Sequence, residues 1–209
     1  MAAAAAAGVR VDRDRAVGNP ATFGGRERRT GGISSTVGSL GDSEHPERRP
    51  PEQEARAMLR EGDPAPDFEL PTDSGDTLKL SSLRGRQVVL YFYPKDDTPG
   101  CTTQACGIRD AYGEFEQAGA VVLGISPDAE SSHEKFKKKF DLPFTLLADV
   151  GHHVADEYGV WGEKSYMGRT YMGVDRSTFV IAEDGTVKKV LPKVKPATHA
   201  AEVLAVLAA

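Results

Sequence analysis

Residues 88–93 form an unbroken apolar run, Val-Val-Leu-Tyr-Phe-Tyr, that ends at Pro94. A strand covered on both faces has this pattern, because neither alternating set of side chains meets water. Val121 to Ile125 is a second run of the same kind. Between them Ala105, Ile108, Tyr112 and Phe115 recur at helical spacing, so a helix is predicted over 102–118, stopped by Gly119. Upstream, Asp67-Phe-Glu-Leu and Thr77-Leu-Lys-Leu alternate as two short strands around the turn Asp73-Ser-Gly-Asp. Downstream, a helix is predicted over 129–140. Ala129, His133, Phe136 and Phe140 share its inner face, and Lys135, Lys137, Lys138 and Lys139 form its wet side. Phe144 to Leu147 reads as a strand and His153 to Tyr158 as a short helix. Ser177 to Ile181 reads as a strand turned by Glu183-Asp-Gly into a hairpin partner, Thr186 to Val190. Thr198 to Leu207 closes the chain as an amphipathic helix. Strands alternating with helices, then a hairpin and a last helix, predict an α/β sandwich with a central mixed sheet flanked by helices.

The first 58 residues follow no such pattern. They open with an alanine run and then mix Gly, Ser, Pro and Arg with scattered acids, showing neither a period of two nor one of 3.6. Such a stretch buries too little surface to offset its ordering entropy. Residues 1–58 are therefore expected to be a disordered extension and 59–209 the folded domain. A secretory signal needs a longer apolar core behind a basic residue, and a transit peptide avoids acids such as Asp12, Asp14, Glu27 and Asp42. The segment's Lys/Arg complement is all arginine, with the first lysine at Lys79. That bias would also suit read-through of a G- and C-rich upstream region, with a start at Met58 giving a complete domain.

Charge and cysteine content narrow the chemistry. A net charge of −5 over 209 residues argues against nucleic acid, whose phosphates need a basic face. No run of 18 apolar residues exists, so no membrane-spanning helix is expected, and the expected location is cytoplasmic. Two cysteines, Cys101 and Cys106, lie five positions apart. A disulfide-stapled secreted scaffold would carry more, and a permanent bond across so short a loop would add little stability. A reactive pair or half of a metal site remains. Zinc would need two more ligands from His45, His133, His152, His153 and His199. His152-His153 lacks a ligand-pair spacing, and His133 falls on the inner face of a helix, where a satisfied core histidine is the usual occupant.

The stretch Tyr93-Pro-Lys-Asp-Asp-Thr-Pro-Gly-Cys101-Thr-Thr-Gln-Ala-Cys106 joins the buried strand to the helix. Cys101 thus stands at a helix start, where free N–H groups and the positive dipole end favour an anion. A thiolate is the reactive form of cysteine. Attack by a thiolate on a bond with a departing oxygen asks for more than the thiolate, because charge develops on that atom and fixed donors must meet it. Thr98, three residues before Cys101, offers a hydroxyl. Arg176, just before the strand Ser177-Thr-Phe-Val-Ile, offers a cation, since the end of a core strand can lie beside a helix start. Pro94 and Pro99 stiffen the loop. A dithiol oxidoreductase would show Cys-x-x-Cys, and a cysteine hydrolase a positioned histidine base; neither pattern is present near the motif. Trp161, Met167 and Met172 read as packing or loop residues.

Pro94-x-x-x-Thr98-x-x-Cys101 matches the active-site signature of the peroxiredoxins, and the wider Tyr-Pro-x-x-x-Thr-Pro-Gly-Cys-Thr-x-x-Ala-Cys resembles their bacterioferritin-comigratory, or Q-type, subfamily. Leu123-Gly-Ile-Ser-Pro-Asp, Gly159-Val-Trp-Gly-Glu-Lys and Arg176-Ser-Thr-Phe-Val-Ile extend the similarity from about residue 60 to the C-terminus. The resemblance implies a thioredoxin-like fold and a peroxidatic Cys101 that becomes a sulfenic acid. Thr98 and Arg176 would polarise the peroxide, Pro94 would shape the loop, and Cys106 would be the resolving cysteine. It further implies hydroperoxide as substrate, thioredoxin or a similar dithiol as reductant, a monomer, and no metal or organic cofactor. Gln104 stands where many relatives carry Glu or Gln.

Five helical steps place two Cα atoms roughly 8.6 Å apart, whereas a disulfide needs less than about 7 Å. A Cys101–Cys106 bond therefore requires the start of the helix to unwind. A redox-sensing module without turnover, or a holdase with incidental thiols, are the competing functions.

Overall fold

Strand β3 (Gln87–Phe92) is the centre of the fold because its side chains serve two cores at once. Val88, Leu90 and Phe92 point into one apolar cluster, and Val89 and Tyr91, followed by Tyr93, into the other. That is the period-two geometry of a strand buried on both faces. β3 pairs in parallel with β4 (Ala120–Ser126), which pairs in parallel with β5 (Thr145–Ala148). On its other side β3 pairs antiparallel with β8 (Ser177–Ile181), and β8 antiparallel with β9 (Val187–Leu191). The five-stranded mixed sheet therefore runs β5-β4-β3-β8-β9.

Helices cover both faces. α1 (Pro99–Asp110), α2 (Tyr112–Gln117), α3 (Glu130–Phe140) and α5 (His199–Leu207) place Ile108, Phe115, Phe136 and Val203 in the second cluster. The first cluster is closed by α4 (His153–Glu157) and by the small hairpin of β1 (Glu69–Pro71) and β2 (Thr77–Lys79). A 3-10 turn over Leu80–Leu83 leads into β3. A second hairpin, β6 (Trp161–Tyr166) with β7 (Arg169–Val174), precedes β8.

This computed structural model describes residues 57–166 and 168–209, all within a unit spanning 48–209. The extension expected over 1–58 lies outside the described residues except for Ala57 and Met58, and so does Met167. Met58 and Leu59 pack against the first cluster. Among the described residues no helix is long and apolar enough to cross a membrane.

Two expectations are corrected, and one hairpin was not expected. The helix expected over 102–118 begins at Pro99 and breaks at Ala111 (φ −99°, ψ 9°), flanked by the poor helix formers Asp110 and Gly113. Ala129 is exposed at the N-cap of α3 instead of on its inner face, because the helix proper starts one residue later. The β6–β7 hairpin had no counterpart in the pattern, since much of its length is exposed and Glu163, Lys164 and Arg169 interrupt any apolar alternation. Trp161 is nonetheless a packing residue against the first cluster, while Met172 is exposed.

Candidate active site

The site forms where β3 ends. Tyr93 still donates its N–H to the Ile125 carbonyl at 3.0 Å, and the chain then leaves the sheet at the carboxyl ends of the parallel strands. The loop 94–98 is tied down through Asp96. Its carboxylate accepts from the Tyr93 hydroxyl (2.7 Å), Ser132 Oγ (2.8 Å) and His133 Nδ1 (2.8 Å), while its N–H donates to Asp128 Oδ2 (2.8 Å). Burial pushes the Asp96 carboxyl up, but the bonds from His133, Tyr93 and Ser132 outweigh it and hold the group below the usual carboxylate range. His133 Nε2 lies 3.1 Å from the Leu147 carbonyl oxygen, so both ring nitrogens face acceptor atoms. Asp97 then takes a left-handed backbone (φ 52°) that turns the chain into α1.

Thr98 is the extended N-cap of α1, and Pro99 is its first residue, where a missing N–H costs nothing. Cys101 is consequently in the first helical turn, among the N–H groups that have no intrahelical partner. The Thr98 hydroxyl does not cap the helix; it donates to the Lys95 carbonyl at 3.0 Å. Its hydrogen is committed there, and its lone pairs are what it can offer a bound hydroxyl. Pro94 is exposed at the loop's outer edge.

Register brings the cation to the sulfur. Ser177 pairs with Phe92 across β3 and β8, so Arg176 emerges beside the end of β3. Arg176 Nη2 donates to Cys101 Sγ at 3.2 Å, and Nη1 donates to Gln104 Oε1. Gln104 Nε2 lies 3.1 Å from His199 Nδ1, and His199 Nε2 lies 2.7 Å from Thr178 Oγ1. Gly100 lies against this guanidinium, where a Cβ would stand 3.4 Å from Arg176 Nη2, an ordinary contact distance. Cys101 is only 2% exposed, which limits access to small groups arriving along the loop. A cavity of about 350 Å³ is lined by Pro94, Tyr171, Val174, Arg176 and Val194 among others. Cys106 is half-buried further along the same continuous helix, and both thiols are free.

The AhpC/TSA family pattern matches residues 61–190. The chain belongs to that family. Within it, the chain is 52% identical to the putative peroxiredoxin Bcp of Coxiella burnetii, over 68% of this chain and 95% of that one. It is 50% identical to peroxiredoxin Bcp of Bacillus subtilis, over 70% and 93%. Among solved structures, Xanthomonas campestris peroxiredoxin Q superposes with a TM-score of 0.65 at 38% identity, covering 68% of this chain and 89% of that one. These relatives bear out the Q-type resemblance and the thioredoxin-like fold. The AhpC/TSA match ends at residue 190, so α5 and its His199 lie beyond it.

The structure thus gathers Cys101, Arg176, Thr98 and Pro94 around one loop and leaves Cys106 a helical turn and a half away. Sequence reasoning missed Thr178, Asp96 and the place of His199. The last was detectable: His199, Val203 and Leu207 are buried at intervals of four, so the histidine lies on the apolar stripe of α5.

Proposed function

We propose that the chain is a thiol peroxidase that reduces hydroperoxides at Cys101 and is recycled by a dithiol of the thioredoxin type. The observation that carries this reading is the 3.2 Å contact of Arg176 Nη2 with Cys101 Sγ in the first turn of α1. A fixed guanidinium favours the thiolate and remains beside the sulfur when charge moves onto the peroxide. The thiolate attacks the terminal peroxide oxygen, the O–O bond breaks, and Cys101 becomes a sulfenic acid. The departing alkoxide or hydroxide takes a proton and leaves as alcohol or water. Thr98 would accept a hydrogen bond from the bound hydroperoxide, and Pro94 would help keep bulk water off the loop.

Cys106 would then attack the sulfenic sulfur, releasing water and leaving a Cys101–Cys106 disulfide. A dithiol partner reduces that bond to two thiols and is itself oxidised. No metal or organic cofactor enters this balance. The cavity beside Arg176 gives the chain of an organic hydroperoxide a place to lie, and a Xanthomonas campestris relative is described by its alkyl peroxide reduction. The reading further takes the protein to act as a monomer in the cytoplasm.

Coupling peroxide consumption to thioredoxin, thioredoxin reductase and reduced nicotinamide cofactor tests the proposal. Sustained turnover that vanishes in Cys101→Ser is expected. One oxidation per chain without turnover would instead indicate a sensor, and turnover surviving in Cys101→Ser would refute the assignment.

A further inference from the structure

Three polar side chains behind the sulfur, Gln104, Thr178 and His199, are fully buried, and they come from three different elements. They form one line: Thr178 Oγ1, 2.7 Å to His199 Nε2; His199 Nδ1, 3.1 Å to Gln104 Nε2; then Gln104 Oε1 to Arg176, and Arg176 to Cys101 Sγ. The chemistry of one end dictates the other. A guanidinium only donates, so the group of Gln104 facing Arg176 must be its carbonyl oxygen. The amide nitrogen, which only donates, therefore faces His199, and Nδ1 must carry a lone pair. The single ring proton then sits on Nε2 and is donated to the Thr178 hydroxyl.

We propose that His199 is a positioning residue for the peroxidatic site: as the neutral Nε2–H tautomer it fixes the orientation of the Gln104 amide, and thereby aims Arg176 at Cys101. A reversed amide would turn an NH₂ group toward the guanidinium and push it off the sulfur. The line leaves no polar atom of the Gln104 side chain free to choose. The groups that face His199 are Gln104 from α1, Thr178 from β8, Arg176 before β8, the Tyr91 ring from β3 (centroids 5.8 Å apart) and Glu202 from α5 itself. Burial and then the Arg176 charge act against a second ring proton, only partly opposed by Glu202, and the ring pKa is pushed down to about 4. The ring is neutral at pH 7. His199 touches no substrate; it acts through Gln104.

This inference rests on Cys101 being the attacking thiol. Nitrogen-15 NMR of the reduced full chain, labelled at histidine, should show His199 protonated on Nε2 alone at neutral pH. A proton on Nδ1, alone or with Nε2, would overturn the proposal without any substitution. The functional arm compares the rate of Cys101 oxidation by hydrogen peroxide. His199→Phe keeps an aromatic ring but no acceptor, and should slow oxidation about tenfold, the factor typical of one lost hydrogen bond. Gln104→Glu in the same background should restore much of the rate, because both carboxylate oxygens accept and no orientation is needed to hold Arg176. A packing role for His199 would leave the double variant as slow as the single one, and that result contradicts the proposal. If the wild-type Cys101 itself fails to react, the enzymatic reading falls first, so the two failures are distinguishable.

Discussion

On the proposed mechanism Arg176 has two jobs at one distance. Its Nη2 lies 3.2 Å from the sulfur, and on the proposed mechanism that donor would meet the attacking sulfur and remain in place as charge shifts to the peroxide oxygen. The two effects separate in Arg176→Ala. Oxidation of Cys101 should slow by about a hundredfold or more, the usual cost of removing one fixed donor from a developing anion. Measuring the rate against pH, and dividing by the thiolate fraction found in the same titration, isolates the transition-state part. A loss that vanished after this correction would leave Arg176 only a ground-state role. Of the site residues, Cys101, Pro94 and Thr98 were legible in the sequence because their spacing is local. Arg176 needed the inference that a strand end meets a helix start, and the β3–β8 register explains it. The Thr98 hydroxyl could not be assigned from spacing, because its bond to the Lys95 carbonyl depends on the left-handed turn at Asp97.

If Cys106 resolves Cys101 as proposed, α1 is the element that must change shape. It is continuous from Pro99 to Asp110, and ideal helix geometry puts the Cα atoms of its two cysteines farther apart than a disulfide allows. Its N-terminal side is tethered by the Asp96–His133 network, so the proposed unwinding would fall on the stretch from Pro99 onward. Cys106→Ser should leave the first oxidation fast and impair thioredoxin-linked turnover, with Cys101 advancing to sulfinic acid more readily. Mass spectrometry after stoichiometric and excess peroxide reads both effects, and unimpaired turnover would demote Cys106 to a packing residue. α5 carries a separate signature. His199 has a folded pKa near 4 against an ordinary 6.5, so between these values only the unfolded chain binds the proton. Its contribution is complete above about pH 6.5 and is lost as pH falls toward 4, amounting to about 3 kcal/mol. Denaturant unfolding across this window should show that decline in the wild type and a flatter one in His199→Phe. An unchanged slope would remove His199 from the balance. The buried strands and amphipathic helices were readable from periodicity, whereas β6 and β7 were not, because a largely exposed hairpin has no apolar face to mark it.

At the scale of the whole molecule, the sheet order assembles the candidate site by bringing β8 alongside β3. Met58 and Leu59 rest on the first core cluster, and Gly62 donates its N–H to the Val187 carbonyl at 2.8 Å. We propose that a chain beginning at Met58 keeps this packing, and thermal midpoint and peroxide turnover should match those of the full chain. A drop in either would show that the preceding residues contribute to the domain.

The central claim is that the Cys101 sulfur is the atom that takes oxygen from the peroxide. Its most direct test uses reduced Cys106→Ser protein, one equivalent of hydrogen peroxide and a sulfenic-acid trap, followed by peptide mass mapping. The trap is predicted on the peptide holding Cys101, in step with peroxide consumed. Peroxide consumed with Cys101 unmodified would contradict the claim.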